Sequence, residues 1–258
     1  MLILLAESKT MSDSQKEVAP ALFQQHIPQF EPTADSIMSF LASIPTAEIS
    51  QRLSVSLSLA AKAANYAYDF PHKLTGYKAL FGYTGEAFRA LDASTLSPEA
   101  IENAFSQLKF ISSVYGLLNS DDIIKPYRCE FNKPITSLNK TAVDLFKQKN
   151  TIALVNWIKE KEIKDVINLL PGDADKCIDW KIVRAFASVN KVVFQHLLPD
   201  GKLKTPIASR LKELRGKMAR DILMNNISSF SELTSFESQD YIYSPEHSKP
   251  LLPVFLSD

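Results

Sequence analysis

The sequence predicts an α+β fold, a single domain over residues 1–258 with a mixed β-sheet surrounded by helices. Three observations lead there. The chain opens on Met1-Leu2-Ile3-Leu4-Leu5, an apolar run short enough for one buried strand. Apolar residues then recur at steps of three and four through much of the chain, which is the helical period. Further strand candidates are interleaved with these helices without a regular βαβ rhythm.

The elements follow in order. Residues 11–33 are polar and carry Pro20, Pro28 and Pro32, the composition of a surface excursion. Ile37, Met38, Leu41 and Ile44 mark a helix. After Pro45 a second helix begins at Thr46, shows an inward stripe of Ile49, Leu53, Leu57, Ala60, Ala61 and Ala64, and stops at Asp69-Phe70-Pro71. Residues 74–93 hold three of the seven glycines and read as turn-rich. Ser97-Pro98-Glu99 supplies a cap, a proline at the first helical position and an acid in the first turn. The helix it starts runs through Ala104, Phe105, Leu108 and Ile111.

Residues 112–131 read as two short helical pieces joined by a tight turn at Tyr115-Gly116, with Asp121 and Asp122 serving the start of the second. Residues 141–146 and 151–161 look helical, and residues 165–170 form a short buried-strand candidate. Pro199-Asp200-Gly201 signals a β-hairpin turn between two strands, and a helix starts near Ile207. Residues 240–244 and 250–256 are late strand candidates, the last demoted toward a sheet edge by its prolines.

Composition narrows the function. Lys plus Arg equals Asp plus Glu at 29 each, so no global field gathers nucleic acid or acidic membrane around the molecule. Cys129 and Cys177 match no metal or redox spacing, and His26, His72, His196 and His247 are scattered singly. No metal and no cofactor is expected, and a reduced cytoplasmic protein fits. The N-terminus has no basic residue ahead of its short apolar run, and Glu7 follows directly, so it lacks the layout of a secretory signal. No stretch approaches the roughly 20 apolar residues of a membrane span. The glycine-rich phosphate loops, the nucleophile elbow and the H-E-x-x-H helix are all missing.

One segment is strongly charged. Residues 201–220 carry Lys202, Lys204, Arg210, Lys212, Arg215, Lys217 and Arg220 against Glu213 alone. Ile207, Leu211, Leu214, Met218 and Ile222 form a narrow stripe for docking on the core, with the cations on both flanks. A rod of exposed cations suits phosphate contact, although a solvated amphipathic helix gives the same pattern. The Tyr115-Gly116 turn could belong to a helix-hairpin-helix, which aims backbone N–H groups at phosphate oxygens. With Gly116 alone where that hairpin usually has two glycines, pattern favours a buried corner between helices.

Several blocks together resemble the YaaA family of peroxide-stress proteins. These are Met1-Leu2-Ile3-Leu4 with Lys9-Thr10, Thr84-Gly85-Glu86-Ala87-Phe88 with Leu91-Asp92-Ala93, and Tyr115-Gly116-Leu117-Leu118 leading through Asp122 to Pro126-Tyr127-Arg128. Val166-Ile167-Asn168-Leu169, Arg215-Gly216 with Met218 and Arg220, and the region from Phe236 to Tyr241 complete the set. The resemblance implies a cytoplasmic α/β domain with a helix-hairpin-helix element at about residues 97–128, and a β-hairpin plus basic helix at about 191–225. It also implies a positively charged cleft, DNA binding, and survival under hydrogen peroxide with less iron-driven damage to DNA.

By position, Tyr115 and Gly116 would form the hairpin, Tyr127 and Arg128 would follow it, and Lys9, Lys212, Arg215 and Arg220 would line the cleft. Lys204, Arg210 and Lys217 of the basic segment join them as expected contacts. The expected partner is double-stranded DNA, held through its backbone, since no helix gathers the Asn, Gln and Arg suited to base edges. No membrane partner is expected.

The chain departs from the family pattern at polar positions. It has Ala6-Glu7-Ser8 where the family tends toward Ser-Pro-Ala, Asn119-Ser120-Asp121 where it tends toward Arg-Pro-Leu, and residues 170–175 where it tends toward Ala-Ser and a Glu-Tyr pair. Glu213 replaces a basic residue, and Lys147-Gln148 a Trp-Gly. The alternatives are an enzyme acting on a nucleic-acid or nucleotide substrate, with Lys9 or Asp144 as nucleophile or acid, and an interaction module whose basic helix docks an acidic partner.

Overall fold

The computed structural model describes residues 1–12, 26–73, 76–238 and 241–257. The surface excursion expected over residues 11–33 falls largely on residues 13–25, outside the described residues. Strand β1 (Leu2–Ala6) lies in the middle of a five-stranded sheet of order β4-β3-β1-β6-β7. Its neighbours β3 (Leu108–Ser112) and β6 (Asp165–Asn168) are both parallel to it, and β6 is parallel to β7 (Ser188–Lys191). Burial on both faces explains the unbroken Leu-Ile-Leu-Leu of β1, because a central parallel strand has no solvent side.

Helices α1 (Glu31–Ser43), α2 (Thr46–Leu53) and α3 (Leu57–Asp69) follow. The single helix expected from Thr46 is two. Ser54 takes the left-handed conformation at φ 52°, ending α2, and the Ser56 hydroxyl caps α3 by accepting from Leu59 N. The apolar stripe continues across the break, so its period does not reveal it.

Next come the short β2 (Tyr77–Lys78), α4 (Ala79–Gly82) and α5 (Glu86–Leu91), then α6 (Pro98–Gln107), capped by Ser97 as expected. From here the expectation of a helix-hairpin-helix gives way. Helix α6 ends at Gln107, and β3 pairs antiparallel with β4 (Gly116–Asn119), the edge strand of the central sheet. The Tyr115-Gly116 bend is therefore the turn of a β-hairpin. The Ser112 hydroxyl accepts from Val114 N and Tyr115 N, fixing the turn locally. Gly116 stands at φ 68°, with Phe30, Phe146 and Asn150 packed where a Cβ would be. Asp121 and Asp122 start no helix. The Asp122 carboxylate closes the turn after β4 by accepting from Asn119 N and Nδ2 at 2.8 and 3.1 Å.

Strand β5 (Ile123–Ile124) pairs with β2. Helix α7 (Ala142–Glu160) is continuous where two pieces were expected. A Thr141–Asp144 capping box starts it, and its polar middle is explained by Asn150. That buried amide accepts from Leu117 N and donates to Cys177 O, tying α7 to β4. After β6 come α8 (Gly172–Asp175) and α9 (Trp180–Val183).

A second five-stranded sheet has the order β10-β11-β12-β8-β9. It comprises β8 (Val193–Leu197), β9 (Leu203–Lys204), β10 (Glu237–Ser238), β11 (Tyr241–Tyr243) and β12 (Val254–Ser257). The hairpin at residues 198–202 closes as its Asp-Gly step predicts, with Gly201 at φ 79°. Strand β12 is internal rather than at an edge. Pro250 and Pro253 precede its first paired residue, so their missing N–H groups never fall in the ladder. Between β9 and β10 lie α10 (Ala208–Met224) and α11 (Phe230–Leu233). One continuous cluster of buried apolar side chains runs from Leu2 to Phe255 and joins both sheets to the helices.

Candidate nucleic-acid interface

Helix α10 has two working faces. Leu214, Met218, Ala219 and Ile222 pack inward, and the helix crosses α5 closely at Gly216, where a Cβ would stand 2.0 Å from the Ala87 carbonyl oxygen. Arg210, Glu213, Lys217 and Arg220, at steps of three and four, make the other face. With Glu86, Arg89 and Asp92 they line a groove of about 850 Å³ between the two helices. Four cations face three carboxylates there, so the groove is only weakly positive.

Its cations differ in freedom. Arg220 donates to the Leu91 and Asp92 carbonyls at 2.8 Å each and to Thr95 Oγ1 at 2.9 Å, a clamp that fixes the end of α5. Hydrogen bonds from Thr95 and Ser94 hold the Asp92 carboxyl below its usual range, with Arg220 adding to the effect. Arg210 and Lys217 share Glu213, each at 2.9 Å. Ion pairs at this exposure contribute about 1 kcal/mol or less, so a phosphate can compete for these two.

The remaining expected contacts scatter. Lys9 Nζ is 2.5 Å from Glu130 and more than half exposed. Arg128 donates to the Lys9 carbonyl at 3.0 Å, while its buried Nε has no partner among the described residues. Lys212 reaches Glu86 only at 4.0 Å, and Lys204 lies exposed on β9. Arg215 sits on the inward side of α10, three and four residues before Met218 and Ala219, and burial lowers its pKa. Tyr115, Gly116 and Tyr127 are buried, so the expected backbone-holding hairpin presents no surface to a duplex.

Sequence reasoning missed two polar clusters. At the end of β1 the half-buried Glu7 carboxylate accepts from Ser113 Oγ at 2.6 Å, from Ser113 N at 2.8 Å and from the Tyr127 hydroxyl. Tyr83 and Ser112 hydroxyls, each 2.7 Å away, surround that phenol in turn. Burial pushes the Glu7 carboxyl up to about 7, against the pull of those donors. On the other side of the hairpin, buried Lys109 donates to Asn119, lies 3.4 Å from the centre of the Trp157 ring, and is brought down by burial to about 8. Burial raises its neighbour Asp122 to about 7. An adjacent polar residue in a buried strand was the only available signal.

The two thiols are poorly placed to react. Burial raises Cys129 well above its ordinary range and Cys177 to about 12. Thiolate, the form that attacks peroxide, is therefore scarce. Among the described residues no group of three or more His, Cys, Asp or Glu gathers to hold a metal. No helix among them is long and apolar enough to cross a membrane.

Comparison with known proteins decides the family. The sequence model described as "Peroxide stress protein YaaA" matches residues 1–247. The chain belongs to the YaaA peroxide-stress family. A UPF0246 protein of Shewanella sp. (strain ANA-3) is 32% identical over 263 residues, covering 100% of this chain and 99% of the relative. A UPF0246 protein of Parabacteroides distasonis is 30% identical over 260 residues, covering all of both chains.

Within this YaaA-family chain the departures from the family pattern now have places. Glu213 is the carboxylate that two groove cations share, and it is one of the three that keep the groove weakly positive. Asn119 links the buried Lys109 to Asp122. Glu7, where the family tends toward proline, creates the carboxyl cluster at the end of β1.

Proposed function

We propose that this YaaA-family chain acts in the response to hydrogen peroxide by holding double-stranded DNA through its phosphates, reducing iron-driven damage to the bound DNA. The observation that supports it is the groove between α5 and α10, where Arg210 and Lys217 share one carboxylate and Arg210 also lies 5.6 Å from the centre of the Tyr241 ring. Arg220 is committed to backbone carbonyls and contributes little.

Two competing cations predict a modest, non-specific interaction. Each neutralised phosphate adds about 0.9 to the salt slope, so two give about tenfold weaker binding between roughly 50 and 200 mM salt. A fluorescent duplex titrated with protein tests this. Replacing Arg210 and Lys217 with Ala should abolish measurable binding at the lower salt, and equal affinity of variant and wild type would reject the groove.

The enzyme alternative loses support at its two named residues. Lys9 is exposed and paired with Glu130. Hydrogen bonds from Thr141 occupy the Asp144 carboxylate and hold its pKa low, which suits a helix cap rather than an acid.

A further inference from the structure

A second groove, of about 660 Å³, runs between helix α7 and the segment from Asp179 to Phe186. Val143, Thr151, Ile152, Val155, Ile182 and Phe186 line it, and none of them lines the α5–α10 groove. Ile152, Ile182 and Phe186 are 54, 49 and 43% exposed. Single apolar side chains on a surface need no explanation, but three large ones gathered around one groove mark an interaction surface.

The groove offers little to anchor a small polar ligand. Thr151 Oγ1 donates to the Lys147 carbonyl at 2.6 Å and accepts from Asp179 N at 2.8 Å. One Asp179 carboxylate oxygen accepts from Lys181 N. The polar atoms along the floor are thus occupied within the chain, and what remains suits the apolar face of a helix.

The pattern of α7 itself shows which helix. Asp144, Gln148, Thr151, Val155 and Lys159 follow one another at steps of three and four, a stripe about 22 Å long with Ile152 beside its midpoint. This stripe is complementary to itself. When a second copy of α7 lies antiparallel across it, about a two-fold axis between Thr151 and Ile152, Asp144 of each copy faces Lys159 of the other. Gln148 then faces Val155, and Lys147 faces Asn156 on the flank. A parallel pair would set Asp144 against Asp144 and Lys159 against Lys159. Both charges are open to a partner. The two Thr141 bonds fall on one Asp144 oxygen, and the other has no partner among the described residues. Lys159 Nζ rests 4.3 Å from the centre of the Phe186 ring, at the groove wall, with no carboxylate beside it among the described residues.

We propose that this groove is the contact surface between two copies of the chain, a two-fold dimer whose antiparallel α7 helices bury Ile152, Ile182 and Phe186 of both copies and pair Asp144 with Lys159 at each end. The apolar side chains supply the attraction, and the charges fix the antiparallel register. One helix stripe with its groove wall makes a small interface, so association in the range of about 10–100 μM is expected. The proposal stands apart from the duplex reading, because the two grooves share no residue.

The test is sedimentation velocity of the full chain from about 5 to about 500 μM, over which the mean mass should rise toward that of two chains. Ile152→Asp sets two carboxylates near the axis, and Lys159→Glu sets an acid against Asp144. Each should weaken association about tenfold or more. Both side chains are exposed, so both variants should unfold near the wild-type urea midpoint. A wild type that stays a single chain over the whole range would overturn the proposal. Equal association of the wild type and both variants would place the contact elsewhere and overturn it as well. Cross-linking gives a second reading. With a mild thiol oxidant, Ile152→Cys should join two copies by a disulfide near the axis, whereas Tyr68→Cys, exposed on α3, should not. The native Cys129 and Cys177 are buried and do not compete. Equal cross-linking at the two positions would also overturn the surface. Duplex binding, tested through Arg210 and Lys217, is unaffected by either result.

Discussion

Glu7→Gln isolates the carboxyl at the end of β1. In the unfolded chain this group titrates near 4.5 and in the folded chain near 7. The folded state therefore holds the proton more tightly, and its contribution is fully present below about pH 4.5. That contribution is lost as pH rises, with the loss complete above about pH 7. The interval corresponds to about 3 kcal/mol at 1.36 kcal/mol per pKa unit.

Gln keeps the size of Glu and an oxygen for the Tyr127 hydroxyl but never ionises. Asp122 and Lys109, which burial also moves toward neutrality, are common to both proteins and largely cancel in the comparison. Urea unfolding of the two proteins between about pH 5 and about pH 8 measures the difference. The variant should gain about 3 kcal/mol on the wild type across that range, roughly 6–12 °C in Tm for a chain of this size. A difference that does not change with pH would refute the reasoning, because the carboxyl would then titrate alike in both states.

Other outcomes follow from packing and burial. Gly216→Ala places a Cβ against the Ala87 carbonyl at 2.0 Å, so α5 and α10 must separate. A loss of about 2 kcal/mol or more and weaker duplex binding are expected, and unchanged urea midpoints would contradict the close crossing. Gly116→Ala combines φ 68° with 2.7 Å approaches to Asn150 and Phe146, and should cost about 1–3 kcal/mol. Retained stability would mean the hairpin turn has another conformation. Mass spectrometry of native protein after peroxide treatment should show Cys129 and Cys177 unoxidised and the denatured chain oxidised. Equal rates in both states would show that burial does not protect them.

What the sequence disclosed depended on whether the signal was local. Strand β1, the hairpin at residues 198–202 and helix α10 follow from apolar runs, an Asp-Gly turn and helical period, all local properties. The helix break at Ser54 left the apolar stripe intact and could not be seen in it. The hairpin at Tyr115-Gly116 was misread because residues 108–118 are buried on every side, leaving neither period to distinguish strand from helix.

The site was harder to read than the fold. Seven cations in one segment were plain, but their fates depend on distant groups: Arg220 on Leu91 and Asp92, Lys212 on Glu86, and Arg215 on the packing that buries it. The Glu7 cluster draws on Ser113 and Tyr127, more than a hundred residues away in the chain. No spacing rule connects residues so far apart.

On the proposed function, duplex phosphates are held at the α5–α10 groove. The most direct measurement is the slope of log affinity against log salt for a short duplex, in the wild type and in Arg210→Ala/Lys217→Ala, the variant assayed at protein concentrations high enough to detect residual binding. A wild-type slope near −2, approaching zero in the variant, is expected. The same slope in both proteins would place the contacts elsewhere and contradict it.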